Sequence, residues 1–219
     1  MNRVLHYLSI GFVAISFMAC EPDISFTEPQ PAEKGEQSKF KNKFRGEFIC
    51  LNDSSILQID KNKIVQKWHF EVEAKGDSIG DIKHRIGDFK YDAEAEDLII
   101  KSNPDSTHYI IDYNKIIFDI SESNILKYDK GIYFLNIKNP RDLWNVKILH
   151  FSKEGKLLLK ELELNKEDLE KLKAITEVEV KKDVDGDVTD YKLQPTQKEL
   201  KEILNSGLFE EGEEFVRVK

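Results

Sequence analysis

Cysteine is scarce in this sequence, with only two among 219 residues. Two cysteines cannot build a disulfide framework or a four-thiolate zinc site. Basic residues are also in the minority, because 33 Lys and Arg stand against 41 Asp and Glu and give a formal net charge of −8. Binding to a phosphate backbone requires clustered positive charge. We therefore expect no nucleic-acid partner.

The sequence also lacks the familiar catalytic motifs. Hydrophobic residues make up 40% of the chain and charged residues 34%, which excludes both an intrinsically disordered chain and a polytopic membrane protein. No GxSxG, P-loop, GxGxxG or HExxH pattern occurs. We expect no cofactor and no metal, and a non-enzymatic role is favoured, although catalysis stays open. The histidines stand far apart, at His6, His69, His84, His108 and His150.

The first twenty residues have the pattern of a targeting signal. Arg3 supplies a positive start, and residues 4–19 form a mostly apolar run that ends in the small residue Ala19. The run is shorter than the ~20 apolar residues of a transmembrane span, and acidic Glu21 follows it closely. This pattern predicts a cleaved signal peptide over residues 1–19.

Cys20 follows Ala19 at the predicted cleavage position. The stretch Phe17-Met18-Ala19-Cys20 resembles the lipobox of bacterial lipoproteins, with Phe17 and Met18 in place of the usual leucine and small residue. The resemblance implies cleavage between Ala19 and Cys20 and attachment of a diacylglyceryl group to the Cys20 thiol. The chain is also similar to small lipoproteins of Bacteroidota in its loose lipobox and its Lys-, Ile- and Asn-rich composition. The alternative is an ordinary secretory signal with an incidental cysteine.

Acylation of Cys20 would make the lipid bilayer the expected partner. Two or more acyl chains give stable anchoring without a transmembrane helix. We therefore expect a monomeric protein of the bacterial cell envelope, with the outer membrane favoured over the inner membrane. The sequence names no protein or small-molecule partner.

Residues 20–39 read as a flexible, acidic tether that follows the lipidated cysteine. Three of the six prolines fall here, at Pro22, Pro29 and Pro31. Such a stretch favours extended conformations, and at ~3 Å per residue it could span on the order of 50 Å. We expect this segment to hold the folded body away from the membrane.

Residues 40–219 form the third predicted region, a single β-rich domain. Short runs rich in Ile, Val, Phe and Tyr alternate with turn clusters at roughly 8–12 residue spacing, which is typical of antiparallel sheets. The predicted fold class is mainly β, an antiparallel meander of barrel-like or sandwich form with two short helices near the C-terminus. The predicted strands are 46–50, 55–60, 63–74, 88–101, 107–112, 115–121, 125–128, 132–137, 144–152, 156–164, 177–183, 188–193 and 215–218.

Two stretches of the body nearly repeat each other. Residues 59–64 read IDKNKI and residues 111–116 read IDYNKI. Because Asp and Asn favour turns, we expect each stretch to form the turn of a hairpin. A duplicated β unit is the alternative.

The two predicted helices have recognisable N-terminal caps. Asn165 caps the helix over 165–175, whose apolar residues recur with helical spacing. Thr196 and Glu199 have the capping-box spacing at the start of the helix over 196–205. Both helices are short, so we expect them to pack on the sheet.

Few side chains qualify as candidates for a site. Trp68 and Trp144 are the only tryptophans and are weak candidates for ligand contact, although alternation favours a core position for Trp68. Cys50 ends a predicted strand and is expected to pack as a small apolar residue. Arg45-Gly46-Glu47-Phe48 resembles the Gly-x-Trp opening of lipocalins, with Phe48 in place of the tryptophan.

Two acidic clusters complete the candidates. The first is a predicted hairpin tip that could hold calcium weakly, although it lacks the glycine and glutamate spacing of an EF-hand. The second lies on one face of a strand, and a solvated edge is favoured there over catalysis by paired carboxylates. The first cluster consists of Asp183, Asp185 and Asp187, and the second of Asp92, Glu94 and Glu96.

Three functions remain open from the sequence. The first is a membrane-anchored envelope lipoprotein with a non-enzymatic binding or structural role. The second is a lipocalin-like β-barrel that binds a small molecule or lipid. The third is a hydrolase whose site assembles only in the fold.

Overall fold

The computed structural model describes residues 22–73, 95–102, 108–162, 164–209 and 212–218. This part of the chain is mainly β, as predicted, with thirteen strands and two α-helices. The strands are β1 (Asp23–Phe26), β2 (Gly46–Cys50), β3 (Ile56–Ile59), β4 (Lys63–Glu73), β5 (Ala95–Ser102), β6 (His108–Asp119), β7 (Asn124–Asp129), β8 (Ile132–Lys138), β9 (Trp144–Phe151), β10 (Leu157–Glu161), β11 (Val178–Lys182), β12 (Val188–Leu193) and β13 (Gly212–Arg217). The helices are α1 (Lys166–Ile175) and α2 (Gln197–Asn205), and a 3-10 turn spans Asn42–Phe44.

Ten strands form one antiparallel sheet in the order β7-β8-β9-β10-β13-β2-β3-β4-β6-β5. Most neighbours in this order are joined by short connections, which is the predicted meander. No pairing joins β5 to β7 in the described part of the chain, so the sheet is open. It curls strongly enough that β7 and β8 share one core with β3, β4 and β6.

The remaining three strands form the order β11-β12-β1. β1 runs parallel to β12, and one residue pair, Phe26 with Trp144, links β1 to β9. This parallel pair makes the sheet mixed. It brings the start of the described chain against a strand near its end.

The two faces of the β8–β10 region bury different cores. Along β8, Tyr133 and Leu135 point to the inner face of the curl, whereas Phe134 points outward, because successive side chains in a strand alternate. The inner core includes a cluster of aromatic rings, and the outer core lies beneath α1, α2 and β1. Buried inner residues include Phe40, Phe44, Phe48, Phe118 and Phe215, and buried outer residues include Phe26, Leu172, Leu193, Leu200 and Ile203.

Both helices begin where the capping residues predict. The Asn165 side chain accepts hydrogen bonds from the backbone N–H groups of Glu167 and Asp168. Thr196 and Glu199 form a complete capping box. Each cap satisfies backbone donors that the first helical turn leaves without intrahelical partners.

The flexible tether prediction is wrong for residues 22–39. β1 pairs with β12, and Gln30 is 1% exposed. The Asn136 side chain, also buried, donates to the Gln30 carbonyl and accepts from the Gln30 N–H. The Lys127 ammonium donates to the carbonyls of Pro29 and Pro31. Proline and acidic composition indicated a solvated spacer, but buried polar side chains from β7 and β8 satisfy its backbone instead.

The expectation of two equivalent hairpins is wrong in its second half. Residues 59–64 do form the turn between β3 and β4. Residues 111–116 instead lie inside β6, because β4 pairs with one edge of that strand and β5 with the other. Sheet pairing on both edges overrides the local turn preference of Asp112 and Asn114.

The signal peptide 1–19, Cys20, His6, His84, Asp92 and Glu94 lie outside the described residues. Residues 88–94 of the predicted strand 88–101 also lie outside them, and the rest of that prediction falls in β5. Within the described ranges, no helix combines the length and the apolar character needed to cross a membrane.

Candidate functional site

A cavity of about 460 Å³ lies on the inner face of the sheet, next to the aromatic core. Its walls come from β4, β6, β9, β10 and β13. The side chains that matter for its chemistry are Asp53, Gln66, Trp68, Tyr113, Lys147 and Glu213. Its volume lies within the range typical of small-molecule sites.

Strand register explains why these side chains meet. Gln66 and Trp68 follow Ile64 with period two on β4, so they extend the same inner face. Tyr113 of β6 lies opposite Trp68. Glu213 of β13 precedes the core residue Phe215 by two positions. The strands that bury aromatic residues at one end of the curl therefore present polar groups at the other.

Asp53 is held ionised at the edge of the cavity. Its carboxylate accepts a hydrogen bond from Trp68 Nε1 at 2.7 Å and another from the Ser55 N–H at 2.9 Å. Burial opposes ionisation of Asp53, but these hydrogen bonds outweigh burial and lower its pKa. Asp53 can therefore accept hydrogen bonds from a bound molecule at neutral pH.

Glu213 lies on the other side of the same cavity in a drier setting. Gln66 is 2% exposed. Its side-chain amide donates to both carboxylate oxygens of Glu213, at 3.1 and 3.2 Å. Gln66 also donates to Ser55 Oγ at 2.9 Å. Burial raises the pKa of Glu213, and the negative charge of Asp53 adds to the increase. The two carboxyl groups thus have pKa values shifted in opposite directions.

Cys50 lies close to Asp53 and Glu213. One oxygen from each of Asp53 and Glu213 and the Cys50 sulfur lie within 4.8 Å of one another, and no other His, Cys, Asp and Glu group in the described ranges gathers in this way. Cys50 is 2% exposed, which confirms its predicted packing role. Burial raises the pKa of its thiol, so the sulfur stays protonated and is a poor cation ligand.

Trp68 and Tyr113 form an aromatic surface within the cavity. Their ring centroids lie 5.0 Å apart with an interplanar angle of 34°. Trp68 is half-buried, whereas the sequence favoured a core position for it. Trp144, the other predicted ligand contact, is only 8% exposed and packs in the outer core. Of the two tryptophans, Trp68 is therefore the one that borders this cavity.

A second cavity of about 430 Å³ adjoins the first. Lys115, Ile117, Lys147 and Glu161 line both. Lys147 and Glu161 form an ion pair of 2.9 Å at the junction. The second cavity continues to Pro22, so the site extends to the beginning of the described chain.

The other sequence candidates lie away from this site. Asp183, Asp185 and Asp187 occupy an exposed hairpin tip, where Asp183 accepts hydrogen bonds from the N–H groups of the other two. His69 is exposed and its pKa is raised by a hydrogen bond with Asp112. His150 borders a third cavity, of about 570 Å³, beside α2, and burial lowers its pKa.

Sequence reasoning missed Asp53, Gln66 and Glu213. A signal was present for Gln66, because it is the polar member of an otherwise apolar alternation that runs from Ile64 to Trp68. Nothing comparable marks Glu213, whose partner Gln66 is 147 positions away in the chain. Only the sheet order brings these two residues together.

Comparisons with known proteins do not add a family to this description. No protein-family model matches the chain, and searches of curated proteins and of solved structures found no match.

Proposed function

We propose that this protein is a lipid-anchored lipoprotein of the bacterial cell envelope whose body binds a small polar molecule at the open end of the sheet. The anchor part of the proposal comes from the similarity of residues 17–20 to a lipobox. The binding part comes from the cavity that contains Trp68, Asp53 and Glu213. The two parts can be tested separately.

The anchor is tested by metabolic labelling with radioactive palmitate. Wild-type protein should take up label and partition with the outer-membrane fraction, and Cys20→Ala should lose both properties. The matched control is Cys50→Ala, which removes the other cysteine and should keep the label. Wild-type protein without label would contradict acylation of Cys20.

The geometry favours a ligand with a flat apolar face and several hydroxyl groups, such as a saccharide. The single observation that carries this choice is the position of Trp68, whose ring borders the cavity while its indole N–H is bound to Asp53. Aromatic faces stack on the apolar face of a sugar ring, and carboxylates accept hydrogen bonds from its hydroxyl groups. The lysine and carboxylate lining favours this polar ligand over the lipid of the lipocalin-like hypothesis. Among the described strands, no pairing of β5 with β7 closes the ring which that hypothesis prefers.

Saccharide binding is tested by intrinsic fluorescence with a panel of neutral hexoses, N-acetylhexosamines and their disaccharides. The Trp144→Phe variant leaves Trp68 as the single tryptophan, and its emission should change on binding. The matched Trp68→Phe variant keeps a flat ring but should show no emission change and weaker binding by calorimetry. A panel without any response in the wild type would contradict the saccharide proposal.

Hydrolysis is a second candidate because the two carboxyl groups differ in pKa. A separation of at most 4.8 Å between the nearest oxygens is close to the ~5 Å of retaining glycosidases. In that role Glu213 would be the acid and ionised Asp53 the nucleophile. Release of nitrophenol from nitrophenyl glycosides, abolished in Glu213→Gln and kept in Glu214→Gln, would support catalysis. Binding without release would leave the protein a binding module.

A further inference from the structure

The first described residues are fixed tightly to the body. Asp23 pairs with Asp190 across the parallel β1–β12 contact. The Arg141 guanidinium forms an ion pair with Asp23 and lies 3.6 Å from the Asp190 carboxylate, which is fully buried. The N–H of Thr27 donates to the Leu193 carbonyl at the other end of the strand. The point where the chain enters the body therefore has a defined position and direction.

Covalent geometry then limits how far an anchored Cys20 can be from the body. Two peptide units connect Cys20 to Pro22, and two residues span at most about 7 Å. A lipid on Cys20 would hold its thioether at the level of the membrane headgroups. The ~50 Å spacer expected from the sequence is therefore absent from residue 22 onward, and the surface near Pro22 must lie against the membrane.

The parallel pairing shows which surface that is. β1 and β12 run in the same direction, so residues before Asp23 lie on the side of residues before Asp190. That side carries the hairpin between β11 and β12, whose tip comprises residues 183–187. Asp187 precedes Asp190 by three residues, or about 10 Å of strand. The tip and an anchored Cys20 can thus reach the same plane.

This hairpin has the surface chemistry of a membrane contact. Val184 at its tip is completely exposed, and Val180 on β11 is 41% exposed. Two of the five exposed large hydrophobic residues in the described ranges therefore lie on this one hairpin. Val180 and Val184 lie four positions apart and form no continuous apolar patch, so the apolar contact at the tip is the single side chain of Val184. The three aspartates around Val184 disfavour anionic lipids and fit a zwitterionic surface.

We propose that the β11–β12 hairpin rests on the lipid bilayer with Val184 at the headgroup level, and that the body is held in this one orientation. The proposal depends on the anchor at Cys20 described above. It also places the second cavity, which extends to Pro22, beside the membrane.

The orientation is tested with lipidated full-length protein in phosphatidylcholine–phosphatidylethanolamine vesicles. In a Cys50→Ala background, Val184→Cys and Glu177→Cys each receive the environment-sensitive fluorophore NBD. Glu177 is the matched control because it is also exposed and precedes β11 at the end opposite the tip, with about 17 Å of strand between residues 177 and 182. The fluorophore at position 184 should shift to shorter wavelength in vesicles, and the one at position 177 should not.

Equal emission at the two positions, whether both change or neither changes, would overturn the orientation. Mass spectrometry of the same samples reports whether Cys20 carries lipid, and flotation reports whether the protein is bound to vesicles. A protein without lipid that does not float would instead overturn the anchor. As a second readout, Val184→Asp should keep the lipid and flotation but make the end of β11, at Lys181 and Lys182, more accessible to added trypsin. Unchanged cleavage would count against contact at the tip.

Discussion

The two ends of the inner face of the sheet differ sharply although the same strands build them. At one end, Phe40, Phe44 and Tyr133 pack edge to face with ring centroids 4.8 to 5.0 Å apart. At the other end, Gln66 and Glu213 meet beside an open cavity. The filled end supplies apolar burial, whereas at the open end burial raises the pKa of Glu213 and hydrogen bonds lower the pKa of Asp53. The alternation of side chains along a strand can therefore stabilise the core at one end and form a candidate site a few residues away.

The largest expected effect comes from the filled end. Phe40 is fully buried against Phe118 and Tyr133, so Phe40→Ala should lower the free energy of unfolding by about 3–5 kcal/mol. Urea denaturation measures this loss. Trp68→Ala at the open end is the comparison and should cost clearly less, because Trp68 is half-exposed. Equal losses would erase the distinction between the two ends.

A smaller loss of stability is expected from mutation of Arg217, which covers the filled end of the sheet. Its guanidinium lies 4.4 Å from the Phe48 ring and donates to the carbonyls of Arg45 and Lys43 at 2.8 and 2.6 Å. Gly46 is required there, because its φ is +126° and a Cβ would lie 2.6 Å from Arg217 Nη1.

Arg217→Ala should therefore cost about 1–2 kcal/mol of unfolding free energy. Arg217→Lys should recover less than half, since an ammonium lacks the planar fork that reaches two carbonyls. Urea denaturation of the three proteins checks this. Full recovery with lysine would mean that charge alone matters at this position.

The open end should be tolerant of a conservative ring change. Trp68→Phe keeps an aromatic surface and removes one hydrogen bond to Asp53, so the loss of stability should stay near 1 kcal/mol. Acrylamide quenching provides a second measurement. Trp68 alone, in Trp144→Phe, should be quenched strongly, and Trp144 alone, in Trp68→Phe, only weakly. Stronger quenching of Trp144 than of Trp68 would contradict the position of the open end beside Trp68.

The smallest effect is a pH dependence at the open end. The pKa of Glu213 is raised by burial above its ordinary value of 4.5, so the folded protein holds this proton more tightly than the unfolded chain. The stability that results is complete below pH 4.5 and is lost as pH rises through the folded-state pKa. Relative to wild type, Glu213→Gln should therefore gain stability between pH 4 and pH 7.

The matched control for this pH test is Glu214→Gln on the same strand. Glu214 forms an ion pair with Lys156 at 2.6 Å on the opposite face. Its removal should give no gain at pH 7 and a loss below about 1 kcal/mol. A gain of the same size in both variants would show that net charge, and not burial of Glu213, sets the pH dependence.

Local signals predicted much of the fold. The hairpins at residues 153–155 and 184–187 and the caps at Asn165 and Thr196 are set by nearby residues, and all appear as expected. Most strand positions follow from alternation for the same reason. The long β6 strand was split incorrectly because its Asp and Asn residues have turn preferences that two flanking strands override.

Long-range pairing explains what the sequence could not predict. Residues 22–39 look solvated until Asn136 and Lys127 are brought to them by the fold. The acids Asp53 and Glu213 are ordinary surface residues by composition, and only the order β13-β2-β3-β4 makes them neighbours. The proposed lipid anchor is the reverse case, because the lipobox-like signal is local and its proposed consequence for orientation depends on the position of β1.

The parallel pairing of β1 with β12 also constrains the order of events in the life of the chain. β12 is made after nearly every other strand, so β1 cannot complete its pairing until residue 193 has been synthesised and has arrived beside it. Until then, the pair of Phe26 with Trp144 of β9 is the one strand contact described for β1. A processing enzyme that needs an extended substrate would meet the N-terminal segment during this interval. If Cys20 is acylated as proposed, completion of the fold would then draw β1 onto the body and end this interval.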